Sequence, residues 1–166
     1  MSQVNAGAEA DVVKDRKTDG VQLSLKGRAL RLLSQREHSR HELERRLKAF
    51  EETPGELAQA LDFLQAKGFI NEQRVVETVV NRRSNKLGAS RVRQELQAKG
   101  LPAEAIAEAV QDLRSTELER AREVWRKKFG TPPVDAGARA KQIRFLVSRG
   151  FAPEVVRRVI AGADDE

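Results

Sequence analysis

Apolar residues recur along this chain at helical spacing from Leu23 almost to its end. Residues three or four positions apart share one face of an α-helix, so this spacing predicts a series of amphipathic helices. No segment shows the apolar and polar alternation of a half-buried strand, and the sequence therefore predicts an all-α protein. The predicted buried stripes comprise Leu25, Ala29, Leu32 and Leu33; Leu43, Leu47 and Phe50; Leu57, Leu61 and Leu64; Val75, Val76, Val79 and Val80; Val92 and Leu96; Ile106, Ala109, Val110 and Leu113; Leu118, Ala121, Val124 and Trp125; Ile143, Leu146 and Val147; and Val155, Val156 and Val159.

Four short polar sequences are typical of helix starts: Ser39–Glu42, Thr53–Glu56, Asn71 and Thr116–Glu119. In the first and the last, a hydroxyl residue precedes Glu by three positions, which is the capping box that satisfies two exposed backbone N–H groups. In the second, we expect Pro54 to occupy the first helical position, where its missing N–H costs nothing. Asn71 is expected to cap its helix through its side-chain oxygen.

Two segments repeat the same order of residues fifty positions apart, with a basic helix, a basic residue, glycine, an apolar residue and a second helix. The matched pairs are Leu96 with Leu146, Lys99 with Arg149, Gly100 with Gly150, Leu101 with Phe151, Glu104 with Glu154, and Ile106 with Val156. We expect both glycines to end a helix in the left-handed conformation. The pattern predicts three tandem three-helix repeats, residues 23–70, 71–114 and 115–163, stacked into an elongated, curved body. The alternative is chance similarity among helices rich in Ala, Leu and Arg.

The remaining composition favours a soluble protein without disulfides. Residues 1–22 have no sustained apolar period, and we expect this N-terminal extension to be disordered. The absence of cysteine excludes disulfides, thiolate metal ligands and a cysteine nucleophile. No apolar run approaches the length of a membrane span, and the N-terminus has no hydrophobic signal segment. We therefore expect a cytoplasmic protein, and a monomer.

The charge of the chain is unevenly distributed. The formal net charge is +6, and residues 21–163 carry 28 Lys and Arg against 18 Asp and Glu. A basic body of this kind suits a polyanionic or acidic partner, such as nucleic acid or an acidic protein groove. The alternative is that many of these charges lie on solvated helix faces and form i,i+4 pairs.

Candidate catalytic and metal-binding residues are few. His38 and His41 lie three positions apart, and a metal site there would need a third ligand such as Glu37 or Glu42. A solvated or helix-capping role for both histidines is the preferred interpretation. The sequence has no Gly-rich phosphate loop with the required spacing, and no nucleophile stands beside a base. The pattern does not indicate an enzyme, and we expect no cofactor.

Sequence-specific DNA recognition is also disfavoured. The segment "PGELAQALDFLQAKG" follows a helix-turn-helix spacing, but it has no Arg before its end and carries Glu56 and Asp62. Trp125 and most of the six Phe fall on the predicted apolar faces, and Tyr is absent, so stacking aromatics are scarce. Any affinity for single-stranded DNA is therefore expected to be driven by phosphate contacts, without sequence specificity.

Five segments resemble the bacterial RecX family: "ALRLLSQREHSRHELERRL", "LDFLQAKGFINEQR", "RQELQAKGLPAEAI", "WRKKFG" and "KQIRFLVSRGF". The resemblance extends from Leu23 to Ile160, and "NKLGASRV" departs from the family's usual basic turn. It implies a regulator of the RecA recombinase that binds the groove of the RecA filament on single-stranded DNA. Such a protein hinders filament extension and lowers ATPase and strand-exchange activity, and so modulates recombination, DNA repair and the SOS response.

The basic residues provide the candidate contacts with RecA or DNA, and Arg144 and Arg149 are preferred. Structural pairing of these two with Glu154 is the alternative for them. The other candidates are Arg28, Arg31, Arg36, Arg40, Arg82, Arg83, Lys86, Arg91, Arg93, Arg126, Lys127, Lys128 and Lys141. A second functional hypothesis is a non-specific nucleic-acid-binding protein that acts directly on DNA or RNA.

Overall fold

A computed structural model describes residues 23–164, and within that range every regular element is helical. The α-helices are α1 (Leu25–Gln35), α2 (Arg40–Leu47), α3 (Glu56–Ala66), α4 (Glu72–Arg83), α5 (Ala89–Ala98), α6 (Ala103–Ser115), α7 (Glu117–Lys128), α8 (Ala136–Ser148) and α9 (Pro153–Asp164), and a 3₁₀ turn at Lys48–Phe50 follows α2. The all-α prediction is confirmed. The predicted disorder of residues 1–22 lies outside the described residues.

The apolar side chains form three separate clusters, each built by three consecutive helices. Helices α1–α3 bury a Leu-rich cluster that includes Leu43 and Leu61. Helices α4–α6 bury Val92 and Leu96 among neighbouring valines, and α7–α9 bury Leu146 and Val156 with Trp125 at the edge. Burying a Leu or Val side chain stabilises a fold by about 1.5–3 kcal/mol. Because each cluster buries several such side chains, each three-helix group has a hydrophobic core of its own. The three-repeat prediction is confirmed, and the repeat boundaries stay a prediction.

The described residues divide into two compact units. The first contains the residues up to His38 together with Leu43–Ile70, and its core is the cluster of α1–α3. The second contains Ser39–Glu42 and the chain from Asn71 onward, and it holds the other two clusters.

Two predicted helix caps are confirmed. The Ser39 Oγ atom accepts from the Glu42 N–H at 3.1 Å, and Glu42 Oε1 accepts from the Ser39 N–H at 3.2 Å. Asn71 Oδ1 accepts from the Arg74 N–H at 3.0 Å. These caps depend only on residues within one turn of each other, which is why their sequence signals hold in the folded chain.

Two other predicted starts are wrong. Helix α3 begins at Glu56 rather than Pro54, because Gly55 has φ +88° and interrupts the helical backbone. Thr116 does not cap α7: its hydroxyl donates to the carbonyl of Leu113 at the end of α6, 3.3 Å away. The buried Glu117 carboxylate instead accepts from the Ala89 N–H at the start of α5, at 2.7 Å.

Arg120 joins the ends of helices in the second unit. Its guanidinium donates to the carbonyls of Ser84 and Leu87 after α4, at 2.7 and 2.8 Å, and to that of Leu113 in α6 at 2.7 Å. Burial lowers the pKa of Arg120 from its ordinary value, and the Glu117 carboxylate acts in the opposite direction. The positive charge of Arg120 lies beside the carbonyl groups at the C-terminal ends of α4 and α6, where a cation is stabilising.

Candidate protein and nucleic-acid interface

The turn that contains Gly100 is a packing junction within the second unit. The Ser39 hydroxyl donates to the Lys99 carbonyl at 2.6 Å, and Lys99 Nζ lies 3.2 Å from Glu42 Oε1. Gly100 has φ +66°, and a Cβ there would lie 2.5 Å from Cγ of His41. The first turn of α2 therefore packs directly on the turn between α5 and α6.

The turn that contains Gly150 repeats this junction. The Gly88 N–H donates to the Arg149 carbonyl at 2.8 Å, and Arg91 Nη1 donates to the Ser148 carbonyl at 2.8 Å. A Cβ on Gly150 would lie 2.3 Å from Cγ of Arg91, and φ is +89°. The start of α5 thus packs on the turn between α8 and α9. The fifty-residue echo in the sequence marks two helix stops, as predicted, and also the surface on which a preceding helix starts.

Four predicted contact residues converge around Phe145 in the second unit. Lys86, Lys127, Lys128 and Arg149 line a hollow of about 300 Å³ with Asn85 and Val124, here called the Phe145 hollow. The Arg149 Cζ atom lies 4.9 Å and Lys128 Nζ 5.4 Å from the Phe145 ring centroid. No carboxylate lines this hollow, so it favours the binding of an anionic group.

A second cationic hollow lies in the first unit. Arg28, Arg31 and Arg46 surround an apolar floor formed by Leu23, Leu32, Leu47 and Phe50, with a volume of about 370 Å³; we call this the Phe50 hollow. The Arg28 Cζ atom lies 3.9 Å from the Phe50 ring centroid. Arg28 and Arg31 were predicted contacts. Arg46 was not, although it lies four positions before Phe50 and lines the same hollow.

The prediction that Phe50 and Val147 are buried is wrong, since they are 47% and 44% exposed. Helix α2 ends at Leu47, and the 3₁₀ turn that follows directs Phe50 away from the core. Phe63 and Phe69 are also exposed, with Lys26 Nζ 3.8 Å from the Phe63 ring centroid. The expectation that most Phe are confined to apolar faces therefore fails in the first unit, which presents three exposed rings.

The other predicted contact residues lie outside the two hollows. Arg83 pairs with Glu95 at 3.1 Å and Arg126 with Glu123 at 2.6 Å. The remaining members of this group are Arg36, Arg40, Arg82, Arg91, Arg93, Lys141 and Arg144.

The two preferred contact residues, Arg144 and Arg149, do not share one site. Arg149 lines the Phe145 hollow and Arg144 does not. The alternative, a pairing of these two arginines with Glu154, is not what the structure shows. Glu154 lies 3.6 Å from Arg157, and the Arg149 guanidinium lies over Phe145.

The histidines do not form a metal site with their neighbours. His38 is buried, with Nδ1 3.0 Å from the carbonyl of Arg36, the C-cap residue of α1; of the predicted solvated or helix-capping roles, the solvated one is therefore wrong for His38. His41 is exposed and packs on Gly100. Within residues 23–164, no three His, Asp or Glu side chains are grouped closely enough to hold a metal ion. None of the described helices is long and apolar enough to cross a membrane.

Comparison with solved structures supports the fold. "Crystal structure of regulatory protein RecX" matches with a TM-score of 0.68 at 19% identity, covering 99% of this chain and 81% of that one. "Crystal structure of RecX from Lactobacillus salivarius" matches with a TM-score of 0.71 at 18% identity, covering 90% and 99%. At these identities the likeness concerns the arrangement of helices.

Sequence comparison identifies the family. Family models described as the first, second and third three-helix domains of RecX match residues 26–64, 71–110 and 115–160. "Regulatory protein RecX" of Leptothrix cholodnii is 55% identical over 87% of this chain and 92% of its own length. The protein of the same name from Ralstonia nicotianae is 46% identical over 86% and 89%. The chain therefore belongs to the RecX family of regulatory proteins.

Proposed function

We propose that this chain binds the RecA filament on single-stranded DNA, in the helical groove of the filament. It thereby inhibits filament extension, ATP hydrolysis and strand exchange. The observation that carries the proposal is the Phe145 hollow, where four cations from three segments meet and no carboxylate does. The family name, regulatory protein RecX, agrees with a role in control rather than catalysis.

The charge of the Phe145 hollow suits an anionic partner. Lys86, Lys127, Lys128 and Arg149 repel one another in the isolated protein, and an anionic group placed among them relieves that repulsion. Carboxylates on a protein filament and phosphates on its DNA both provide such groups. Exposed charges of this kind mainly raise the rate of association and orient the partners, so the interaction should weaken as salt is added.

The test is RecA's DNA-dependent ATP hydrolysis on circular single-stranded DNA, with this protein added well below one molecule per RecA. The double variant Lys127→Glu/Arg149→Glu should raise the concentration needed for half-inhibition by about tenfold or more, which corresponds to about 1.4 kcal/mol. The double variant Arg157→Glu/Arg158→Glu, at exposed positions of α9, makes the same change in net charge and is the control. Equal inhibition by the double variant and the wild type would refute the assignment of this surface.

Arg144 is tested separately because it is a predicted contact outside the Phe145 hollow. The single variants Arg144→Glu and Arg149→Glu change the same charge near the same end of α8. We expect Arg149→Glu to weaken inhibition more strongly. A larger effect of Arg144→Glu would place the contact surface along the exposed side of α8.

A second candidate function is non-specific binding of DNA or RNA by the chain itself. The observation that favours it is the set of exposed rings in the first unit, Phe50, Phe63 and Phe69, with cations placed over two of them. Aromatic side chains beside Lys and Arg stack on unpaired bases, and each stacked base contributes about 1–3 kcal/mol.

The two functions predict different dependence on RecA. If direct binding is the function, a fluorescent oligothymidine should bind without RecA, lose affinity steeply with salt, and bind more weakly to Phe63→Ala. Inhibition of RecA would then begin only when the protein is abundant enough to coat the DNA. Inhibition at sub-stoichiometric amounts, unchanged by Phe63→Ala, would favour the regulator.

A further inference from the structure

A groove in the second unit differs in charge from four other hollows of the described residues. It lies between α4 and α6 and has a volume of about 310 Å³. Its floor is apolar, formed by Val76, Val80, Ala105, Ala109 and Leu113. Its borders carry three carboxylates, from Glu77, Glu108 and Asp112, which we call the acidic border.

The acidic border is unusual on a chain with a net charge of +6. Four other hollows in the described part of the chain are lined by Arg or Lys and by no carboxylate. Glu108 and Asp112 lie four positions apart on α6, where like charges repel, and both are exposed. Glu77 faces them across the groove from α4. An incoming positive charge would reduce this repulsion.

The floor has room for the side chains of another helix. Ala105 and Ala109 are one helical turn apart on α6, and their short side chains leave the space that Val76 and Val80 border from α4. Arg120 also lines the groove, and its bonds to the carbonyls of Ser84 and Leu113 connect the ends of α4 and α6. The groove is therefore already formed, and binding would require little rearrangement.

We propose that this groove binds a cationic amphipathic helix of a partner protein. Apolar side chains of that helix at positions i, i+3 or i+4, and i+7 would enter the floor, and its Lys or Arg residues would face Glu77, Glu108 and Asp112. Nucleic acid does not fit, because its phosphates would meet the carboxylates. This inference does not rest on the proposed action on RecA, since it concerns a different surface with the opposite charge.

The test uses a defined probe, a fluorescein-labelled peptide of Lys and Leu about 15 residues long, with Leu on one helical face. Its binding is measured by fluorescence anisotropy. The double variant Glu108→Lys/Asp112→Lys should weaken binding by about tenfold or more. The control Glu104→Lys/Glu119→Lys makes the same charge change at exposed positions outside the groove. A control effect as large as that of the groove variant would overturn the proposal, as would a failure of the wild type to bind the peptide.

Two further measurements separate shape from charge. Ala105→Phe fills the floor without changing any charge, and should weaken peptide binding by a similar factor while the thermal unfolding curve is retained. A peptide of the same composition with Leu scattered around the helix should bind more weakly than the amphipathic one. Equal binding of both peptides, or of wild type and Ala105→Phe, would overturn the proposal. A groove variant that instead abolishes self-association in sedimentation would assign the groove to a second copy of this chain and overturn it too.

Discussion

Arg120→Met would remove a charged side chain that joins three backbone segments. The guanidinium donates to the carbonyls of Ser84, Leu87 and Leu113 at 2.7–2.8 Å. Methionine keeps an apolar stem of similar length but has no donor, so these carbonyls lose their charged partner. The variant should therefore destabilise the second unit, with little change in helical content at low temperature.

The size of the effect follows from the hydrogen bonds. A hydrogen bond from a charged donor contributes about 1.5–3 kcal/mol when it is well buried. Arg120 is half-buried, so we assign about 1 kcal/mol to each of the three bonds and expect a loss of about 3 kcal/mol. For a chain of this size, 1 kcal/mol shifts the unfolding midpoint by about 2–4 °C, which gives a Tm lower by about 6–12 °C.

The assay is thermal unfolding followed by circular dichroism at 222 nm. Arg122→Met, an exposed position on the same helix, makes the same chemical change and should alter stability by less than about 0.5 kcal/mol. Arg120→Lys should fall between the wild type and Arg120→Met, because an ammonium group cannot span three diverging carbonyls. Equal unfolding temperatures for Arg120→Met and Arg122→Met would refute the reasoning.

The junctions and caps give further expectations, each checked by the same unfolding assay. Gly150→Ala should destabilise the chain by more than Gly68→Ala. Both glycines have positive φ, but a Cβ on Gly150 would lie 2.3 Å from Arg91, whereas a Cβ on Gly68 would have no neighbour within 4 Å. Equal losses of stability would show that the backbone conformation alone determines the cost. Ser39→Ala should lower the free energy of unfolding by about 1–2 kcal/mol, more than Ser24→Ala at an exposed cap, because Ser39 also donates to the Lys99 carbonyl. An equal loss for both variants would show that the bond from Ser39 to Lys99 does not contribute to stability.

Local signals in the sequence determine much of this fold. The helical stripes and the caps at Ser39 and Asn71 could be predicted because each depends on residues within a turn or two. The predicted cap at Thr116 fails because the end of α6 is close enough to engage its hydroxyl. The Leu113 carbonyl that engages the Thr116 hydroxyl belongs to the preceding helix, so no pattern within α7 itself could reveal this contact.

The candidate site shows the same limit. The basic clusters could be recognised one by one, but the sequence does not indicate that Lys86, Lys127 and Arg149 meet around one ring. Their meeting depends on how the α4–α5 connection, α7 and α8 pack. The acidic border was missed for a related reason, because Glu77 and Asp112 belong to different helices and each resembles an ordinary solvated charge.

The first repeat differs from the other two at the turn after its second helix. In the second and third repeats this turn has a left-handed glycine, and the apolar residue after it, Leu101 or Phe151, is at most 6% exposed. In the first repeat the turn is Lys48–Phe50, a 3₁₀ turn with Ala49 in place of glycine, and Phe50 is 47% exposed. Terminal repeats commonly depart from the pattern of their neighbours. The turn that places a buried apolar side chain in two repeats thus carries an exposed ring in the first, and that ring lines the Phe50 hollow together with three arginines.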